Sequence, residues 1–147
     1  MMMARVANGF VIAFMLSMCG IVALVITLYR EPFPESDQAR SIITNEVARG
    51  DDLIIKNSLV RLKSCAAVIY RAAYDADGTK IYTDTEYRPG SSIKSGQRIA
   101  DRREIHIPDW ATPGEAVYEV DIDWSCNAVQ RLFPNVQILP PLQFIIK

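Results

Sequence analysis

The chain has 147 residues, 16 basic and 17 acidic side chains, and a formal net charge of −1. This length allows one domain of ordinary size beside a short terminal segment. The near-neutral charge, without any cluster of lysine or arginine, gives no electrostatic footprint for nucleic acid. We therefore expect no nucleic-acid partner.

Residues 10–29 form an apolar run without a charged side chain. A helix of roughly 20 residues at 1.5 Å per residue matches the hydrocarbon thickness of a bilayer. The run predicts a cytoplasmic tip at 1–8 and a transmembrane helix at 9–29, with the lipid bilayer as the partner of residues 10–29. No small-residue cleavage pattern follows Tyr29, and bulky Met18 precedes Cys19. Cleavage and lipidation at Cys19 nevertheless stay open as alternatives.

Two cysteines follow the apolar run, Cys65 and Cys126. A lone pair in an anchored protein predicts one disulfide, provided that the domain faces an oxidising compartment. This sets the expected localisation as single-pass membrane, with the N-terminus cytoplasmic and the C-terminal domain extracytoplasmic, either periplasmic or extracellular.

Residues 30–40 are rich in proline and acid, which disfavours helix and predicts a solvated stalk. The pattern at 36–49 fits either a strand or a short helix, since Ile42, Ile43 and Val47 would share one helical face. The sequence favours the strand without excluding the helix. A β-sandwich domain is expected over 41–147.

Within that domain, the Asp75–Gly78 segment separates two strand-like runs and predicts a hairpin, because such turns need residues that tolerate positive φ. Residues 116–126 carry apolar side chains at every even position and, apart from Val117, polar side chains at the odd positions. A period of two over this length predicts a strand of an antiparallel sheet with one covered side. Further strands are expected at 53–63, 99–107 and 142–147.

Residues 127–141 have no firm strand pattern yet contain several apolar side chains. A connection of this length in a small domain is usually functional or partly structured. We predict a loop that binds a protein partner, with these candidate contact residues: Asn127, Arg131, Leu132, Phe133, Val136 and Ile138.

About seven short strands at spacings near ten residues predict an all-β fold. The expected architecture is an immunoglobulin-like antiparallel β-sandwich preceded by one transmembrane helix. In that strand order the runs next to Cys65 and Cys126 are antiparallel neighbours. Both cysteines then lie at the same end of the sandwich, within reach of a disulfide.

In general shape the predicted domain resembles immunoglobulin-like and fibronectin-like extracellular modules. It departs from true immunoglobulin domains, because Trp124 stands where a tyrosine normally precedes the second bridging cysteine. The chain also resembles small phage- or prophage-encoded proteins with one anchor, through the segments RGDDL, CAAVIYR, DADG, IP, PG and CN. This resemblance implies a virus-associated setting and names no activity.

No nucleophile with a base, glycine-rich phosphate loop or metal-ligand cluster stands out in the sequence. Asp121 and Asp123 share a strand face, but that face is the outward one. We therefore expect no enzymatic activity, no cofactor and no metal. The predicted function is a membrane-anchored binding or scaffolding module associated with phage, with oligomerisation left open. The alternative is a virion membrane component or lysis accessory that acts through its helix.

Overall fold

The computed structural model describes residues 2–90 and 95–147, so Met1 of the predicted tip lies outside the described residues. In chain order the elements are α1 (Met2–Tyr29), β1 (Glu35–Ile42), β2 (Glu46–Val47), β3 (Asp52–Arg61), β4 (Ala66–Tyr74), β5 (Lys80–Arg88), β6 (Arg98–His106), β7 (Gly114–Ser125), α2 (Ala128–Leu132), β8 (Asn135–Ile138) and β9 (Leu142–Ile146).

The membrane prediction concerned the first helix, α1, and the structure contradicts it. Among the described residues, no helix combines the length and the hydropathy that a bilayer crossing requires. The predicted transmembrane helix at 9–29 and the single-pass localisation are therefore wrong. The bilayer as partner of residues 10–29 finds no support in the described residues. The uncharged run predicts the helix itself correctly.

The strands form two sheets. The first sheet has the order β1-β3-β6 and is antiparallel throughout. The second sheet has the order β2-β9-β7-β4-β5, and β8 pairs with the second half of β7. β2 runs parallel to β9, so the prediction of a purely antiparallel sandwich is wrong. The fold is mostly β with a mixed second sheet.

One apolar core lies between the two sheets. It joins Leu53 and Ile55 of the first sheet to Trp124 and Phe144 of the second, all of them buried. On β7 the residues at even positions from Ala116 to Trp124 are buried, as the alternation predicts. The odd positions face outward, which places Glu119, Asp121 and Asp123 on the other side of the sheet.

The predicted hairpin at Asp75–Gly78 joins β4 to β5, and Gly78 has a φ of 76°. The Asp75 carboxylate accepts hydrogen bonds from the backbone amides of Thr79 at 2.8 Å and Thr112 at 3.0 Å. These bonds lower the pKa of Asp75, with the Thr112 amide contributing most. Asp75 therefore fixes the hairpin against the β6–β7 connection.

A disulfide joins Cys65, just before β4, to Cys126, just after β7, with a Cα–Cα distance of 4.4 Å. Beneath it, the buried Arg61 donates from Nη2 to the Cys65 carbonyl and from Nε to the Lys63 carbonyl at 3.2 Å. Its guanidinium lies 5.4 Å from the centre of the Trp124 ring. The cross-link and this cation–π contact close the same end of the sandwich.

Two segments differ from their sequence-based descriptions. β1 begins at Glu35, inside the predicted stalk, and the buried Pro34 accepts hydrogen bonds from the amides of Leu62 and Lys63 at 2.6 and 3.3 Å. The 36–49 segment forms strands β1 and β2 rather than a helix. Proline excluded helix here, as predicted, but its carbonyl was free to bond to the sheet.

Candidate functional site

The predicted binding loop at 127–141 contains helix α2 and strand β8, although the sequence showed no firm strand pattern there. Asn127 caps the five-residue helix α2, since its Oδ1 accepts a hydrogen bond from the Gln130 amide at 3.0 Å. The helix ends before Pro134, as expected for the residues that precede a proline. Asparagine as an N-cap with a proline seven residues later was the sequence signal for this helix.

Helix α2 is held between the end of α1 and the disulfide. The buried Gln130 accepts a hydrogen bond from the Cys126 amide at 2.9 Å and donates one to the Leu28 carbonyl at 3.1 Å. Asn127 Nδ2 donates to the same carbonyl at 3.0 Å. Asn127, a candidate contact residue, is therefore committed to structural hydrogen bonds.

Strand β8 is fixed against β7 by backbone and side-chain hydrogen bonds. Trp124 Nε1 donates to Gln137 Oε1 at 2.9 Å, and Asn135 Nδ2 donates to the Glu31 carbonyl at 3.1 Å. Because side chains alternate along a strand, Val136 and Ile138 point away from these anchors. Polar side chains of the 127–141 connection therefore hold it in place through hydrogen bonds, while several of its apolar side chains are exposed to solvent.

The four apolar candidates from this connection are exposed. The exposed fractions are 76% for Leu132, 65% for Phe133, 52% for Val136 and 76% for Ile138. Arg131 is exposed as well. The local hydrogen bonds show that this exposure belongs to an ordered segment, so that no refolding of the connection is needed to present these side chains.

The outward face of the second sheet continues this apolar surface. Strand register places Tyr87, Val68, Asp123 and Val136 side by side in one row, and Thr85, Tyr70, Asp121 and Ile138 in the next. Directly paired residues share one face of a sheet. We define the contact surface by its exposed apolar and aromatic members: Leu132, Phe133, Val136, Ile138, Tyr70 and Tyr87.

A row of carboxylates crosses the contact surface along β7. Glu119, Asp121 and Asp123 all point outward, and none of them forms an ion pair within the described ranges 2–90 and 95–147. A depression of about 250 Å³ next to Asp123 is lined in part by Tyr70, Tyr87, Arg131 and Pro134. The surface therefore combines aromatic side chains with uncompensated negative charge.

A second cluster of charges lies between the sheets. Arg71 of β4 contacts Asp84 and Glu86 of β5, both at 2.8 Å, and Arg103 of β6 reaches the same two carboxylates. Burial alone would raise the pKa of Glu86, but hydrogen bonds and charge from Arg88 and Arg71 outweigh it and hold this pKa at about 2. The cluster joins the two sheets where the apolar core ends.

Sequence reasoning did not identify this intersheet cluster, although the alternation of β4 gave a signal. Arg71 shares its strand face with Ala67, Ile69 and Ala73, which are all buried. An arginine on an apolar face needs a buried carboxylate partner. For metals, the described part of the chain contains no group of three or more His, Cys, Asp or Glu side chains placed to bind an ion.

A scan against protein-family models finds no match, and a search of the curated proteins finds none. Among solved structures, the chain is similar to the alkylpurine DNA glycosylase AlkC of Pseudomonas fluorescens, bound to DNA with an abasic site analog. The TM-score is 0.49 at 15% identity, over 78% of this chain and 30% of the glycosylase. This chain therefore spans about a third of that protein.

Two other solved structures are similar at the same level. The ApaA protein of Bordetella pertussis gives a TM-score of 0.45 at 9% identity, over 79% of this chain and 96% of that one. The sporulation control protein Spo0M of Bacillus subtilis gives 0.42 at 7%, over 79% and 50%. The phage and membrane assignments find no support.

Proposed function

We propose that the protein is a non-enzymatic binding module that uses its contact surface to hold a polypeptide partner. The observation that carries the proposal is the exposure of Leu132, Phe133, Val136 and Ile138 on a segment fixed by hydrogen bonds. Large exposed apolar patches on ordered elements are typical of interaction sites. Isolated exposed side chains would not require this explanation, but here four of them share one connection.

The composition of the contact surface defines the chemistry of the partner. Tyrosine and phenylalanine are enriched in the centres of protein interfaces, where they supply much of the binding energy. Asp121 lies between Tyr70 and Ile138, and Asp123 lies between Val68 and Val136. Neither carboxylate forms an ion pair with a residue that the structure describes. A segment that presents apolar side chains together with lysine or arginine would satisfy both features.

A peptide-display selection against the immobilised full chain tests this proposal. We expect selected peptides to combine apolar residues with lysine or arginine, and to bind through the contact surface. The variant Leu132→Ser/Phe133→Ser should lose most of the binding. It removes two large exposed apolar side chains, one from the last residue of α2 and one from the residue that follows α2. The variant Asp121→Asn/Asp123→Asn should weaken binding and reduce its salt dependence.

The matched control is Trp110→Ser. Trp110 is 62% exposed but precedes β7, whereas α2 follows it. A 12-residue strand separates the two sites, which is a distance of about 36 Å at roughly 3.3 Å per residue. Two results would contradict the proposal. One is equal affinity of the selected peptides for the wild type and for Leu132→Ser/Phe133→Ser, and the other is a loss of binding that occurs only with Trp110→Ser.

A further inference from the structure

A cavity of about 50 Å³ lies between the two sheets, separate from the contact surface. A buried water needs roughly 10–15 Å³ by the same measure, so the cavity has room for several waters or one small molecule. β1 contributes Glu35 and Arg40 to its wall, and β7 contributes Tyr118. Its apolar lining includes Ile69 and Val120.

Two hydrogen-bond donors in the wall have no partner within the described part of the chain. They are the hydroxyl of Tyr118, whose side chain is 1% exposed, and Nη1 of Arg40. The other terminal nitrogen of Arg40, Nη2, donates to the Pro140 carbonyl. Buried donors are nearly always paired in native structures, so these two groups indicate a missing acceptor.

The charges around the cavity favour a negatively charged acceptor. Arg71 and Arg88 are paired with Asp84, Glu86 and Asp101. Arg40 forms no ion pair with any residue in the described ranges. Arg40 is therefore the arginine of the cavity wall without an ion-pair partner in these ranges, and the wall carboxylate Glu35 forms no ion pair with it.

Electrostatic effects in the wall agree with this assignment. Arg40 and Tyr118 are close enough to influence each other, and burial raises the pKa of Tyr118 to about 12, which keeps its hydroxyl a donor at neutral pH. Glu35 is the carboxylate of the wall. Burial raises its pKa, against the effects of Arg61, Gln38 and Arg88, and its Oε2 accepts a hydrogen bond from Gln38 at 2.8 Å.

We propose that this cavity binds a small oxyanion, whose oxygen atoms accept hydrogen bonds from the Tyr118 hydroxyl and Arg40 Nη1. A carboxylate and a tetrahedral oxyanion such as phosphate share this chemistry. Both present several acceptor oxygens around one centre of negative charge, and both are small enough for the cavity.

Calorimetric titration of the full chain with sodium phosphate, sodium sulfate and sodium acetate tests the site, each against chloride at equal ionic strength. We expect saturable binding of at least one of them. Tyr118→Phe and Arg40→Gln should each weaken that binding by about tenfold or more, as for a lost hydrogen bond to a charged group. Binding of phosphate and sulfate alone would identify tetrahedral anions, and binding of acetate alone would identify carboxylates.

Tyr29→Phe and Arg102→Gln are the matched controls, because they remove the same groups from exposed positions outside both the cavity and the contact surface. If Tyr118→Phe does not fold, two other measurements test whether the anion binds in the cavity. They are the affinity of Arg40→Gln and the amide chemical shifts of the wild type during the titration. The shifts should cluster on β1 and β7 as anion is added. No saturable binding of any of the three anions, or binding that Arg40→Gln leaves unchanged, would overturn the proposal.

Discussion

Removal of the disulfide between Cys65 and Cys126 should markedly lower the stability of the fold. The variant Cys65→Ala/Cys126→Ala opens a cross-link between positions separated by 61 residues. The loop-entropy relation gives about 4 kcal/mol of lost stability for a closed loop of this size. At roughly 4 °C per kcal/mol for a domain of this length, the melting temperature should fall by roughly 15 °C.

Urea unfolding of the wild type and the variant measures this difference directly. The control is Cys19→Ala, because Cys19 is the exposed free cysteine and should leave the unfolding free energy unchanged. The slope of free energy against urea should rise in the double variant, since an unfolded chain without the cross-link exposes more surface.

The disulfide also borders the contact surface, which links this prediction to function. Gln130 bonds to the Cys126 amide and positions α2. Loss of the bridge should therefore loosen α2 and lower binding in parallel with stability. A stability loss below about 1 kcal/mol would refute the entropic reasoning, because it would mean that the unfolded chain is not restrained by the bridge.

Three further predictions concern single side chains. Phe144→Ala should cost about 3–5 kcal/mol in urea unfolding, because Phe144 is 2% exposed and its loss leaves a cavity in the core. Asn127→Ala should cost about 0.5–2 kcal/mol by removing the cap of α2, with faster amide exchange confined to α2. Glu86 has a folded pKa of about 2, below its ordinary value of 4.5. Its contribution to stability should be complete above about pH 4.5 and lost as the pH falls towards 2. Acid titration of unfolding should show that this component is absent in Glu86→Gln, and an unchanged titration would contradict the role of the intersheet cluster.

The strands with strict alternation could be predicted from sequence because one physical rule governs them. β7 buries every second residue from Ala116 to Trp124. The Asp75–Gly78 segment forms a turn in which Gly78 adopts the positive φ that such turns require. The pairing of Cys65 with Cys126 followed from the positions of two neighbouring strands. Each of these features depends on local pattern and on one level of sheet topology.

Features that depend on non-local partners were missed. The Pro34 carbonyl accepts hydrogen bonds from the amides of Leu62 and Lys63, and no residue pattern within 30–40 predicts these bonds. The parallel pairing of β2 with β9 joins residues from opposite ends of the domain. The cluster around Arg71 requires carboxylates from another strand.

The exposure of the candidate contact residues could be predicted from the sequence, but the arrangement of the strands around them could not. Leu132, Phe133, Val136 and Ile138 were singled out as exposed apolar residues, and the structure exposes them. Tyr70 and Tyr87 join them only through strand register, which brings β4 and β5 beside β7. Sequence spacing alone could not place these aromatic side chains on the same surface.

The most direct test of the contact surface measures affinity and stability on the same samples. The exposed fractions of Leu132 and Phe133, 76% and 65%, leave little buried area to lose. The variant Leu132→Ser/Phe133→Ser should therefore lose only about 1 kcal/mol of unfolding free energy, while its affinity for a selected peptide falls at least tenfold. A loss of about 3 kcal/mol or more, or an affinity equal to that of the wild type, would show that these side chains belong to the core or to no interface.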